Sequence, residues 1–167
     1  MTLAPTRPES RGGREGVLDK GGAPGMLEVV ENDDEQERGM TSLRTTPSAD
    51  GYEQTVARLE AELARRGLEV FARVDHAANA RTVGLRMPPT LVITFGNPVA
   101  GTPLMIEAPD LALDLPMRLL VRQTDNGVEL VYADPAALLE RHGLPAAAAA
   151  PLSGISGIVT AAAGPHH

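Results

Sequence analysis

Apolar residues first fall into a clear period at Tyr52, Val56, Leu59 and Leu63, which are four, three and four apart. That spacing predicts one apolar face of an amphipathic helix. Ser48 or Asp50 is placed to cap it, with Glu53 three residues after Asp50. Gly67 suits the left-handed residue that ends it. Glu60, Glu62, Arg65 and Arg66 lie off the apolar line and read as a solvated face. Upstream, Thr41–Thr46 reads as a first strand.

Beyond Gly67 the period changes to two. Leu68, Val70, Ala72 and Val74 alternate with Glu69, Phe71 and Arg73, which predicts a strand with one apolar and one mixed face. It runs into Asp75-His76, and Ala77–Thr82 reads as a short helix. Pro88-Pro89 stops anything helical. Thr90–Phe95 is a nearly continuous apolar run, suited to a buried strand. Gly96-Asn97-Pro98 turns the chain. Gly101-Thr102-Pro103 then opens a helix, with Thr102 as cap and Pro103 at its first position, ending near Pro109. Met117–Arg122 is the next strand, begun by Pro116. Asn126-Gly127 signals a two-residue hairpin, and Val128, Leu130 and Tyr132 alternate on the return strand. Asp134-Pro135 starts a helix that carries Leu138 and Leu139 and stops at Gly143. The order predicts an α+β domain: a largely antiparallel sheet with helices packed on one face.

Composition narrows the chemistry. The chain has 167 residues and a net charge of −7, with aromatics at 2% and no Cys or Trp. One domain suits this length. Without Cys there is no disulfide framework, thiolate zinc site or Cys nucleophile. The acid excess argues against a nucleic-acid surface, and the four aromatics (Tyr52, Phe71, Phe95, Tyr132) are too few for stacking platforms.

The charge is uneven. Residues 1–40 hold five basic and nine acidic residues, while residues 145–167 hold none. The first 40 residues are rich in Gly and Pro and read as a disordered acidic leader. The alternatives are an acidic interaction tail or upstream reading frame, since Met26 and Met40 are both plausible starts. No apolar run follows its arginines, so it is not a signal peptide. Residues 41–144 form the single patterned domain. The tail, 145–167, is Ala-rich and reads as partly helical or disordered. Leu152, Ile155 and Val159 fall at helical spacing, and Pro151, Gly154 and Gly157 oppose it. A membrane span is not expected there, because Ala, Gly and Ser contribute little transfer energy. His166 and His167 are weak evidence for a metal site.

Several short motifs in fixed order resemble the domain-of-unknown-function family DUF302. They are Val74-Asp75-His76-Ala77-Ala78-Asn79-Ala80, Phe95-Gly96-Asn97-Pro98, Gly101-Thr102-Pro103-Leu104-Met105, Asp114-Leu115-Pro116-Met117-Arg118, Tyr132-Ala133-Asp134-Pro135 and Arg141-His142-Gly143. The match covers about residues 44–144, and the leader lies outside the pattern. The resemblance implies a small domain with a fold like half of the TATA-binding protein, with an extra helix inserted, paired as a homodimer. Fold likeness does not imply DNA binding, and the family has no established general activity, so the resemblance leaves function open.

Three segments could carry chemistry. His76 can act as base, acid or metal ligand, with Asp75 orienting its ring; alternatively Asp75 caps the helix that follows. Gly96-Asn97 combines close backbone approach with a donor and an acceptor, or is simply a turn. Arg118 can hold a carboxylate or phosphate in a fork, or pair with a neighbour on an exposed strand face. Asp134 reads as a helix cap, and His142 as a cation in the last turn of its helix, favoured by the dipole. No ligand-spacing motif for a metal is present, and the sequence leaves the identity of any cofactor open.

Asp75, His76, Asn79, Gly96, Asn97 and Arg118 are therefore the ligand-binding candidates. The expected pocket lies where the Asp75-His76 strand end meets the Asn97 turn. The reading is a homodimeric, cytoplasmic module that binds a small ligand or a partner without catalysis. The alternative is an enzyme or metal-dependent protein using His76 with Asp75, and Arg118 for an anionic substrate. A pure dimerisation module, with Leu91–Phe95 at or near the interface, is a third.

Overall fold

The computed structural model describes residues 42–165. The expectations for the leader and for His166 and His167 lie outside the described residues. Five strands form one antiparallel sheet: β1 (Leu43–Pro47), β2 (Glu69–Asp75), β3 (Thr90–Gly96), β4 (Met117–Thr124) and β5 (Gly127–Ala133), in the order β1-β5-β4-β3-β2. The helices are α1 (Tyr52–Arg65), α2 (His76–Thr82), α3 (Pro98–Glu107), α4 (Pro135–Arg141) and α5 (Ile155–Ala163). Two 3-10 segments, Pro109–Leu113 and Ala146–Leu152, complete the chain. This is the α+β architecture the alternation predicts.

Strand parity decides what each face carries. Ile93 and Phe95 of β3, Met117, Leu119 and Val121 of β4, and Val128 and Leu130 of β5 are buried on one face. Against them lie α1, through Leu59 and Leu63, and α5, through Ile155, Ile158 and Val159. Full burial of each such side chain is worth roughly 1.5–3 kcal/mol. Helix α2 follows β2 at one end of the sheet, while α3, α4 and the two 3-10 segments gather at the other, where β3 and β5 finish and β4 begins. There Leu104, Leu111, Leu138 and Leu139 join the same core.

Several local expectations change. The cap of α1 is Gly51, with no side-chain capping bond. Asp50 instead pairs with Arg58, and Ser48 shares a 2.7 Å hydrogen bond with the buried Thr55 hydroxyl. Glu62 does not belong to a solvated face. It is buried and accepts hydrogen bonds from Arg65 at 2.7 and 2.8 Å and from Arg66 at 2.6 Å. Those bonds outweigh its burial and pull its carboxyl down to about 2. Helix α3 starts at Pro98, with Asn97 accepting from the Val99 N–H at 2.9 Å. Thr102 is therefore not its cap, and Pro103 lies inside it. Asn97 wins because Pro98 then fills the first helical position, where a missing donor costs nothing. The hairpin turns on Asp125 and Asn126, one residue earlier than expected. Gly127, at φ 122°, already pairs with Thr124. Gly67 does take the positive φ its place requires, 64°.

The domain does not stop at residue 144. Ile155, Ile158, Val159, Ala162 and Ala163 are each at most 2% exposed. Arg66 donates to the Gly154 carbonyl at 3.3 Å, tying the end of α1 to the start of α5. The tail's low charge is the composition of a core helix. Among the described residues no single helix is long and apolar enough to cross a membrane.

Candidate functional site

The face opposite α1 and α5 carries the other strand parity. In register across it run Val74, Val92, Leu120 and Val131, one each from β2, β3, β4 and β5. The next row towards the start of β4 holds Ala72, Thr94 and Arg118. The row on the other side holds Thr90, Arg122 and Glu129, and Arg122 and Glu129 pair at 2.9 Å. The apolar stripe is thus flanked by polar side chains on β3 and β4, while Ala72, Ala133 and Leu43 continue the apolar surface on β2, β5 and β1. A trough of about 500 Å³ follows it, lined also by His76, Leu43, Asp114 and Arg141.

Its charged end is built from two distant segments. Asp114 follows the first 3-10 segment, and its backbone N–H bonds to the Leu111 carbonyl at 3.0 Å. Arg141 and His142 come from the last turn and the C-cap of α4. One Asp114 oxygen accepts from Arg141 at 2.9 Å and lies 2.7 Å from His142 Nε2. The other takes a longer contact, 3.3 Å, from Arg118. Burial of Asp114 would raise its pKa. The hydrogen bond with His142 and the charge and hydrogen bond of Arg141 outweigh that and hold it below the ordinary aspartate value. Two guanidiniums therefore share one carboxylate on the trough side, while Glu107 and Asp110 line the neighbouring space beyond Arg141 and His142. At the β5 side, burial raises the Tyr132 phenol; Arg44 opposes the shift and Asp134 adds to it.

The sequence candidates divide between the two ends of the sheet. β2 and β3 are antiparallel, so Asp75 pairs with Leu91 while Glu69 pairs with Gly96. The Asp75-His76 strand end and the Asn97 turn therefore lie at opposite ends of the ladder, about 20 Å apart at the rise of a strand. The expected pocket between them does not form. Asp75 accepts from the Ala78 N–H at 2.7 Å and caps α2. Among the described residues the His76 ring has no hydrogen-bond partner, so Asp75 does not orient it. His76 and Arg118 do line the same trough. Gly96 and Asn97 line a separate, largely apolar cavity of about 150 Å³ with Phe71, Met105 and Pro116. Asn79 is exposed on α2 and lines neither space. Leu91–Phe95 lies within β3, an interior strand.

Asp134 caps α4, accepting from Ala136 and Ala137 at 3.0 and 3.2 Å, and pairs with Arg44 at 2.8 Å. The role of Arg141 was not visible in the sequence, and His142 read only as a helix-end cation. Their partner is 27 and 28 residues away, and no spacing rule links them. Among the described residues no three His, Asp or Glu side chains stand together to hold a metal ion.

The family model described as "Domain of unknown function DUF302" matches residues 44–162. The chain belongs to the DUF302 family. A DUF302 protein from Bacillus stearothermophilus, described as an uncharacterized conserved protein, has the same fold. Its crystal structure superposes with a TM-score of 0.61 at 21% identity, over 72% of this chain and 94% of that one. Two curated relatives are named fluoride-specific ion channel FluC 1. Those of Brucella suis and Brucella abortus are each 43% identical over 105 residues, 62% of this chain. The matching stretch makes up 41% and 39% of their lengths, so the DUF302 chain spans about two fifths of these relatives.

Proposed function

We propose that this DUF302 chain is a non-catalytic binding module that holds a small ligand in the trough, acting as a cytoplasmic homodimer. The observation that carries this reading is an apolar floor edged by Arg118, Arg141 and His76 in one space of about 500 Å³. That volume lies within the range of small-molecule sites. Asp75 is committed to its helix cap. His76 thus lacks the oriented carboxylate that general acid–base work or metal ligation ordinarily uses, which favours binding over catalysis. The curated relatives support a module of this kind, because the matched stretch is a minor part of longer chains named for a fluoride channel. Channel activity does not pass to this chain on that ground. The open edge of β2, where Phe71 and Val74 are exposed, offers a surface for pairing with a second copy.

A second reading has one observation in its favour: His76 and Arg118 share the trough. In it, His76 serves a reaction or a metal and Arg118 holds an anionic substrate. Native mass spectrometry of gently purified protein tests both. The expected result is a dimer with a stoichiometric added mass that Leu120→Glu abolishes and His76→Ala leaves in place. Loss of the added mass in a folded His76→Ala variant favours the second reading. A monomer with no added mass in any preparation overturns the proposal.

A further inference from the structure

We infer that the ligand is an anionic single-chain amphiphile, its head on Arg118 and Arg141 and its chain along the apolar stripe. This rests on the binding reading above and adds the class of ligand. Three features carry it.

The first is the shape of the floor. Val74, Val92, Leu120 and Val131 follow one another through successive ladder partners. Four adjacent strands span about 14 Å at ~4.8 Å per spacing. On β3 and β4 the stripe is flanked by Thr90, Thr94, Arg118 and Arg122 and is one side chain wide. A track narrowed in this way fits a flexible alkyl chain better than a flat ring system.

The second is the charge at its edge. Arg118 and Arg141 are 58% and 50% exposed, and each gives one nitrogen to Asp114. A guanidinium has five N–H donors, so most of theirs are free for a ligand. Asp114 holds the two guanidiniums at one corner and neutralises only one of them. Among the described residues Asp114 is the one carboxylate lining the trough, so the free guanidinium donors there are complementary to a carboxylate head. His142 is only 13% exposed and meets Asp114 from the protein side, which leaves the arginines as the outward-facing cations.

The third is the closed opposite edge. Arg122 and Glu129 pair with each other at 2.9 Å and leave no net charge there. A head group therefore has one preferred side of the stripe, the Arg118 flank at β4.

The test titrates the full chain with decanoate, decan-1-ol and acetate by calorimetry at neutral pH. Decanoate is expected to bind at least tenfold more tightly than either control, because only it engages both floor and corner. The double variant Arg118→Gln/Arg141→Gln should lose about tenfold or more for decanoate and leave decan-1-ol unchanged. Leu120→Thr should weaken both. Circular dichroism melts confirm that each variant folds, as the half-exposed position of both arginines leads one to expect. Equal binding of decanoate and decan-1-ol overturns the inference, as does decanoate binding that ignores the arginine substitutions. If decanoate fails to bind while an added mass from the source cells still depends on Leu120, the ligand class is wrong and the binding module stands. If neither is seen and Leu120→Glu breaks the dimer, a second copy covers the face and both proposals fall.

Discussion

His142 Nε2 lies 2.7 Å from an Asp114 oxygen that also accepts from Arg141, 27 residues along the chain from that carboxylate. One carboxylate thereby fastens the end of α4 to the entrance of β4. It also fixes where the two trough arginines stand.

Asp114→Asn should lower stability at neutral pH by about 1–3 kcal/mol, the cost of weakening charge-assisted bonds in a partly buried place. The folded pKa of Asp114 is depressed below its ordinary 3.8. Its contribution is thus complete above that value and is lost as pH falls through the lowered one. Urea titrations of both proteins should differ at pH 7 and converge in strong acid. A difference that persists unchanged in acid would show that the carboxylate charge is not what Asp114 contributes.

Glu62→Gln offers a second pH test. Arg65 and then Arg66 hydrogen-bond its carboxylate and hold its pKa at about 2 against an ordinary 4.5. Its stabilisation is present above 4.5 and fades as pH falls towards 2. The variant should melt lower than the parent at pH 7, with the gap closing across that interval.

The two aspartate caps should differ in cost. Asp134 accepts two helix N–H groups and pairs with Arg44, so Asp134→Ala should cost about 1–2 kcal/mol. Asp75 accepts one, and Asp75→Ala should cost about 0.5–1 kcal/mol. Asn at either position should recover much of the loss. Equilibrium denaturation ranks all four.

A chain ending at residue 144 should not fold, because it removes the helix that covers β1 and β5. Ile158→Ala, at a site 2% exposed, should cost about 2–5 kcal/mol in the full chain. A cooperative melt from the shortened chain would show that the domain closes without α5.

The sequence by itself determined the elements whose signals are local. The period of Tyr52, Val56, Leu59 and Leu63 makes α1, and the alternation around Val128–Tyr132 makes β5. Asp-Pro at 134–135 starts α4, since a cap and a fixed φ act within one turn. The family was legible for the same reason, as short motifs in a fixed order. Only the tertiary structure decided the pairing and packing. It separated Asp75-His76 from Asn97, because antiparallel pairing sends the C-terminal ends of neighbouring strands to opposite ends of the ladder. It buried Glu62 and the Ala-rich tail, because burial depends on what packs above a residue and not on its own type. It also joined Asp114 to Arg141 and His142, through contacts that close only once the sheet has formed.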